Sequence, residues 1–215
     1  ALGFTLSQGY GLTETAPLLA CNNDFFYDPE SVGVPLPGVT LRIDEPNEEG
    51  VGEIVARGDN VMLGYYNDAA ATDAVLRDGW FHTGDLGRID ARGALFICGR
   101  SKNVIVTANG KNIYPEELET RLAQFDSIGE ALVLEARRGD EPCVKAKIYP
   151  NATVLRDKLG HVPSADEVQS EVRAAVQAVN AQMPGYKHIK VVEILTEPLE
   201  KTTTQKIKRF GDNTK

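Results

Sequence analysis

Between Val32 and Arg100 apolar and polar residues alternate in short runs separated by glycine and proline. Side chains on a pleated chain point to opposite faces in turn, so alternation of this kind predicts half-buried strands. Four runs qualify: Val39–Ile43, Gly52–Arg57, Leu86–Ile89 and Ala94–Cys98. The clusters Asn47-Glu48-Glu49-Gly50 and Asp90-Ala91-Arg92-Gly93 supply turns between them. One helix interrupts the strands, from Asp68 to Leu76, with Asn67 as the expected N-cap and Gly79 just past its end. At the start of the chain, Leu2-Gly3-Phe4-Thr5-Leu6 reads as the middle of a buried strand.

After Arg100 the period changes. Asn103–Thr107 predicts a strand and Ala108-Asn109-Gly110 a turn, and Pro115 suits the first position of a helix. Leu118, Leu122 and Phe125 follow at i, i+4 and i+7, which gives that helix one apolar face. Strands Glu130–Glu135 and Cys143–Tyr149 come next, joined by a polar Arg137-Arg138-Gly139-Asp140 loop. A longer helix is expected from Ala165 to Met183, lined on one side by Val168, Val172, Val176 and Val179, each worth about 1.5–3 kcal/mol if fully buried. Pro184-Gly185 ends it, Ile189–Leu195 makes a last strand, and a lysine-bearing polar tail closes the chain. The fold class is α+β: a small antiparallel β subdomain with a surface helix (residues 1–100), then a compact α+β domain (101–215).

Composition changes this picture little. The 215 residues are 42% hydrophobic and 25% charged, the balance of an ordinary globular protein. A net charge of -8 argues against binding nucleic acid or an anionic membrane surface. The basic strip Lys201, Lys206, Lys208 and Arg209 is short, with Phe210 its only aromatic. Cys21, Cys98 and Cys143 form no CxxC pair, which suits reduced thiols and a cytoplasmic setting. No apolar run is long enough to span a membrane, and no signal-peptide pattern opens the chain, which also lacks an initiator methionine.

Four segments carry candidate chemistry. In Gln8-Gly9-Tyr10-Gly11-Leu12-Thr13-Glu14-Thr15 two glycines flank an aromatic, so the backbone can pass close to a flat ligand. Thr13 offers a hydroxyl and Glu14 a carboxylate suited to Mg²⁺. The same residues also suit a strand-to-loop turn capped by the Thr-Glu pair. Trp80-Phe81-His82-Thr83-Gly84-Asp85-Leu86 reads as a tight turn whose Asp85 can accept hydrogen bonds from two vicinal hydroxyls, or can merely cap the turn. In Gly99-Arg100-Ser101-Lys102-Asn103, Arg100 can bond a ribose or phosphate and Lys102 lies where a hinge would bend; a charged linker is the alternative. Leu199–Arg209 presents Lys206 from a threonine-rich loop, either as a mobile cation for a phosphate or as a solvated tail.

The order of QGYGLTET, FHTGDL, GRSKNVIV, GKNIYPEELE and KTTTQKIKR resembles the adenylate-forming ligases over essentially the whole chain. That superfamily contains acyl-CoA synthetases, adenylation domains of peptide synthetases and luciferase. GRSKNVIVTANGKNIYPEELE looks most like bacterial AMP-forming long-chain fatty acyl-CoA ligases. The resemblance implies that Tyr10 packs against adenine beside Gly11, that Thr13 contacts the AMP phosphate, and that Glu14 holds Mg²⁺. It implies that Asp85 and Arg100 bind the ribose hydroxyls and that Lys206 bridges the carboxylate substrate and the α-phosphate. Lys102 would be the hinge of a mobile lid, and the loop around Gly110 would line the pantetheine tunnel. Residues 1–100 would then be the end of the large adenylation domain and 101–215 the lid. The implied substrates are a fatty acid, ATP and CoA, with room for peripheral membrane contact by the whole enzyme.

Several positions depart from the family pattern. Gln205 stands where a glycine usually precedes the catalytic lysine, Glu200 replaces a common proline, and Val106 stands where many relatives carry lysine. The Ser/Thr/Gly-rich phosphate loop ending in Pro-Lys-Gly, and the acyl pocket, are not in this sequence. The expectation is a C-terminal piece of a ligase that folds but does not activate fatty acids by itself. The competing readings are an acyl-AMP ligase or carrier-loading adenylation domain, and a non-catalytic nucleotide-binding or interaction module.

Overall fold

The alternating runs of the first half pair into two antiparallel sheets. The computed structural model describes residues 6–107, 109–139, 141–203 and 205–209, and divides into two units, Ala1–Lys102 and Asn103–Lys215. In the first unit β1 (Gly9–Tyr10), β2 (Ala20–Cys21) and β3 (Val34–Pro35) form one short sheet in that order. β4 (Thr40–Asp44), β5 (Gly52–Arg57), α1 (Ala69–Val75), β6 (Leu76–Arg77), β7 (Trp80–Ile89) and β8 (Leu95–Arg100) follow. Their strands make a five-stranded sheet in which β7 pairs with β5 on one side and with β6 and β8 on the other. The core gathers Ala20, Ile54 and Leu95, all without exposure, and Tyr10, Leu41, Ile43 and Ile89 pack against it.

Three expectations for this unit need correcting, and a fourth lies almost wholly outside the described residues. Asp68, and not Asn67, caps α1: its Oδ1 accepts Ala71 N–H at 2.9 Å, while Asn67 sits at φ 53 in the preceding turn. Gly79 lies beyond a second element. Asp78 and Gly79, both at positive φ, form the two-residue turn joining β6 to β7, the geometry a hairpin of that length favours. Trp80–Leu86 is strand and not turn. Of the run Leu2–Leu6, residues 2–5 lie outside the described residues, and Leu6 is 73% exposed.

The second unit is built on β9 (Ile105–Val106), β10 (Asn112–Ile113), α2 (Pro115–Leu122), β11 (Ile128–Arg138), β12 (Glu141–Pro150), α3 (Ala152–Leu159), α4 (Ala165–Ala181) and β13 (Ile189–Ile194). β9 and β10 pair as a small hairpin. β11, β12 and β13 form a sheet in that order, antiparallel between the first two and parallel between the last two. A parallel pair needs a long crossover, which α3 and α4 provide. Leu118 and Leu122 of α2 and Val172, Val176 and Val179 of α4 are buried with Val133, Val144 and Ile148 of the sheet; Phe125 and Val168 pack on the margin.

The sequence pattern missed α3, although Asn151 caps it through Val154 N–H at 3.3 Å and Gly160 closes it at φ 77. It also placed strand over Asn103–Thr107, where Ser101–Asn103 is a 3-10 turn and only Ile105–Val106 pairs. Arg137 and Arg138 extend β11 and do not form a loop; Asp140 lies outside the described residues. No helix among the described residues is long and apolar enough to cross a membrane.

Candidate functional site

Asp85 is the centre of the first unit's polar network. β7 keeps a period of two in burial through Phe81, Thr83, Asp85 and Gly87, yet two of those four buried positions are polar. The pairing with β5 jumps from Val55–His82 to Glu53–Leu86, so residues 83–85 bulge from the ladder around Gly84 at φ 70. Glu53 holds the bulge, its Oε1 accepting Gly84 N–H at 2.9 Å and its Oε2 lying 2.8 Å from His82 Nδ1. Thr83 Oγ1 donates to Ile54 C=O at 2.7 Å and accepts Asp85 N–H at 3.1 Å. Of the aromatic pair before it, Phe81 is core and Trp80 lies under Arg42, with the guanidinium carbon 4.7 Å from the ring centre.

Arg100 stands directly opposite Asp85 on β8, and its Nε donates to Asp85 Oδ1 at 2.6 Å. The Tyr10 hydroxyl donates to Oδ2 at 2.8 Å. Burial pushes the Tyr10 hydroxyl's pKa well above its ordinary value, and the Asp85 charge adds to the rise. The hydrogen bond to Asp85 likewise raises that of Arg100. A carboxylate has about four acceptor positions, so Asp85 with two donors in place keeps capacity for two hydroxyls. The remaining acceptor positions have the chemistry to take a pair of vicinal hydroxyls.

The Leu12–Thr15 turn separates its residues by role. Thr15 is fully buried, and its Oγ1 accepts Leu12 N–H and donates to Leu12 C=O, both at 2.9 Å. Thr15, and not Thr13 with Glu14, is the cap. Thr13 is exposed and Glu14 half-buried. The Glu14 side chain takes the Tyr65 hydroxyl at 2.9 Å, a bond that raises the Tyr65 pKa. Met62 N–H bonds Glu14 C=O at 2.8 Å, and Asn60 Nδ2 bonds Thr15 C=O and Leu18 C=O. The glycines serve the chain itself: a Cβ on Gly11 would fall 1.9 Å from Pro17 C=O, and one on Gly9 2.9 Å from Leu18 Cδ1. Their close approach is to the chain's own Pro17–Leu18 segment.

No group of three or more His, Cys, Asp or Glu side chains stands together among the described residues. A single carboxylate such as Glu14 fits Mg²⁺ that is shared with phosphates and water, because that ion typically takes only one or two protein carboxylates. In the second unit Gly110, at φ 72, turns the β9–β10 hairpin. Lys206 is exposed near the tip of a second hairpin, where Lys201 pairs with Ile207. Lys102 is exposed in the 3-10 turn that ends the first unit.

Residues 1–66 match the model of the AMP-binding enzymes, and residues 102–210 match that of the AMP-binding enzyme C-terminal domain. The chain belongs to the AMP-binding enzyme family. It is 35% identical to a long-chain-fatty-acid–CoA ligase of Mycobacterium tuberculosis over 96% of its own length and 36% of the relative's. A long-chain-fatty-acid–CoA ligase of Escherichia coli O157:H7 is 36% identical over 96% of this chain and 35% of its own. The chain thus spans about a third of the curated relatives it matches. The structure resembles o-succinylbenzoate CoA synthetase of Bacillus subtilis in complex with ATP and magnesium, with a TM-score of 0.74 and 29% identity over 95% of this chain and 40% of that one. An anthranilate CoA ligase in complex with anthranoyl-AMP gives 0.76 at 26% identity over 95% and 38%. The resemblance to the adenylate-forming ligases drawn from the five motifs holds.

The motifs pointed to Tyr10, Asp85 and Arg100 separately, and the structure brings these three family-motif residues together. Residues that the sequence reading missed are Tyr65, Asn60 and Glu53. Only Tyr65 carried a signal, as half of an aromatic pair following Gly64.

Proposed function

We propose that a ligase carrying this chain activates a long-chain fatty acid with ATP and passes the acyl group to CoA. The observation that supports the reading is the Tyr10–Asp85–Arg100 network, in a chain similar along nearly its whole length to long-chain-fatty-acid–CoA ligases. In the first step a carboxylate oxygen of the acid bonds the α-phosphorus, the bond from that phosphorus to the α,β-bridging oxygen breaks, and pyrophosphate leaves. In the second the CoA sulfur bonds the acyl carbon, its proton is lost, and the bond to AMP breaks.

In this reading Asp85 and Arg100 fix the ribose, Tyr10 borders adenine beside Gly11, and Thr13 bonds the phosphate. Glu14 would hold Mg²⁺, an ion that neutralises charge on the phosphates when bound. Two anions must meet in the first step, and charge grows on the phosphoryl oxygens. Lys206 offsets that charge as a cation and takes no proton. Lys102 is the hinge of the lid, and the Gly110 loop lines the path of the CoA arm.

Lys206→Ala in the whole ligase tests the assignment. Fatty-acid-dependent ATP–pyrophosphate exchange is expected to fall on the order of 10²–10³, while transfer from pre-formed acyl-AMP to CoA continues. Unchanged exchange would refute the role of Lys206. Exchange without any fatty-acid dependence would refute the substrate class. Transfer to a carrier protein in preference to CoA would redirect the second step.

A further inference from the structure

We propose that two ion pairs, Glu119–Arg209 and Glu130–Lys201, are positioning contacts that hold the Lys206 hairpin for acyl-adenylate formation. The proposal rests on the reading of Lys206 given above.

The hairpin is closed by short-range bonds. Thr202 N–H donates to Lys206 C=O at 2.8 Å, Lys208 N–H to Glu200 C=O at 2.9 Å, and Lys206 N–H to Thr202 Oγ1 at 3.2 Å. These bonds fix the register of one leg against the other and say nothing about where the hairpin points. Direction comes from its base. On the first leg Glu130 accepts Leu199 N–H at 2.8 Å and pairs with Lys201 Nζ at 2.6 Å. On the second, Arg209 pairs with Glu119 and donates from Nη1 to Val133 C=O at 3.3 Å.

Both legs are therefore tied to β11, through Glu130 and Val133. β11 is the edge of its sheet, so Val133 has its N–H and C=O free of strand pairing. Glu119 accepts that N–H at 2.7 Å while Arg209 takes the carbonyl. The pair thereby occupies the open edge and anchors the hairpin with the same atoms. Arg209 also reaches Glu116 at 3.3 Å, which accepts Asn103 Nδ2 at 2.6 Å, so one guanidinium links the lysine hairpin to the first residue of the second unit.

Burial separates Glu119–Arg209 from ordinary surface bridges, which contribute little, and in the second pair Glu130 is the withdrawn partner. Side-chain exposure is 19% for Glu119, 17% for Arg209, 13% for Glu130 and 34% for Lys201. Charges so far withdrawn from water are screened weakly by salt. A lysine side chain has many rotamers, so only a well-fixed backbone delivers its ammonium to one point. A misplacement of about an ångström at a reacting centre can cost on the order of 100-fold in rate.

The test compares half-reactions in the whole ligase, with palmitate as the acid and palmitoyl-AMP as the pre-formed intermediate. Lys201→Met, Glu130→Gln and Glu119→Gln are expected to lower kcat of palmitate-dependent ATP–pyrophosphate exchange about tenfold to a hundredfold, with KM for palmitate little changed. Transfer from palmitoyl-AMP to CoA should stay near the parent rate. Arg209→Lys, which keeps the charge and loses the fork, should lose less than Arg209→Met. Unchanged exchange in these variants overturns the proposal, as does an equal loss in both half-reactions. Should the Arg209 and Glu119 variants fail to fold, Lys201→Met decides alone, since its side chain is a third exposed. Lys206→Ala run beside them separates the two failures. Exchange lost there but intact in the base variants removes only the positioning role, and exchange intact there removes the catalytic reading itself.

Discussion

Asp85 receives a hydroxyl from a tyrosine 75 residues away and a guanidinium from the facing strand, whereas the backbone bonds across the tip of the Lys206 hairpin span three or four residues. The first arrangement is set by three strands of a packed unit, and its core runs directly beneath Tyr10. The second is anchored at its base, through Glu130 and Glu119. The difference suits the roles proposed for each. A ribose-binding carboxylate gains from being held in place before the ligand arrives. A cation needed for one of two steps gains from a support that can be withdrawn as a unit. The comparison predicts that site and stability are coupled around Asp85 and uncoupled around Lys206.

The largest effect is expected from Asp85→Ala. It strands the Tyr10 hydroxyl in a mostly buried setting and leaves Arg100, about half exposed, to return to water. A loss of about 2–4 kcal/mol in unfolding free energy is expected, together with a fall of at least about tenfold in AMP affinity. Urea unfolding followed by Trp80, the single tryptophan, reports the first unit, and calorimetric titration reports AMP. Loss of affinity with unchanged stability would break the coupling claimed for this site.

Tyr10→Phe should cost less, about 1–2 kcal/mol, because it removes one bond and keeps the ring in the core. It should also change the response to alkali. Tyr10 has a folded pKa above the unfolded value of about 10. Its contribution is therefore complete below about pH 10 and is lost as pH rises, since the unfolded chain sheds a proton that the folded chain keeps. Unfolding measured between neutrality and about pH 11 should fall less steeply in the variant. Tyr65, also raised through Glu14, accounts for part of the remaining fall. An identical alkaline slope in both proteins would show that the Tyr10–Asp85 bond is not closed in solution.

What could be read from sequence divides along similar lines. Gly52–Arg57 was legible to the residue because a short apolar run rich in β-branched residues, Ile54-Val55-Ala56, lies between polar Glu53 and Arg57, although all three apolar residues are buried and the two-residue period is lost there. The Asp85 segment was misread because Thr-Gly-Asp is a turn signal locally, while a bulge is defined by the partner strand, β5. Tyr65 reaches Glu14 across 51 residues and Glu53 reaches Gly84 across 31, and no local pattern encodes either. Asn67 and Asp68 are both good caps by type, and only the left-handed backbone at Asn67 decides between them. The five ordered motifs compensated for this at the level of family, since their spacing reflects the folded arrangement without describing it.

The smallest effect should come from the hairpin tip. Gln205 sits at φ 63, a left-handed conformation that a side chain disfavours and glycine accepts freely. Gln205→Gly relieves that cost, which is of order 1–2 kcal/mol, and returns roughly 0.5–1 kcal/mol through the greater freedom of the unfolded chain. The two partly cancel, so global stability should rise by no more than about 1.5 kcal/mol in thermal unfolding followed by circular dichroism. The protection of Lys206 and Gln205 amides in hydrogen exchange should change more, because both bond to Thr202 within the same turn. A destabilisation of that size or more would mean that the tip is bound into the second unit as firmly as Asp85 is into the first. The contrast between the fixed network proposed to hold the nucleotide and a base-anchored lysine arm would then fail at its weaker end, and the ion pairs at the base would lose their special claim to position Lys206.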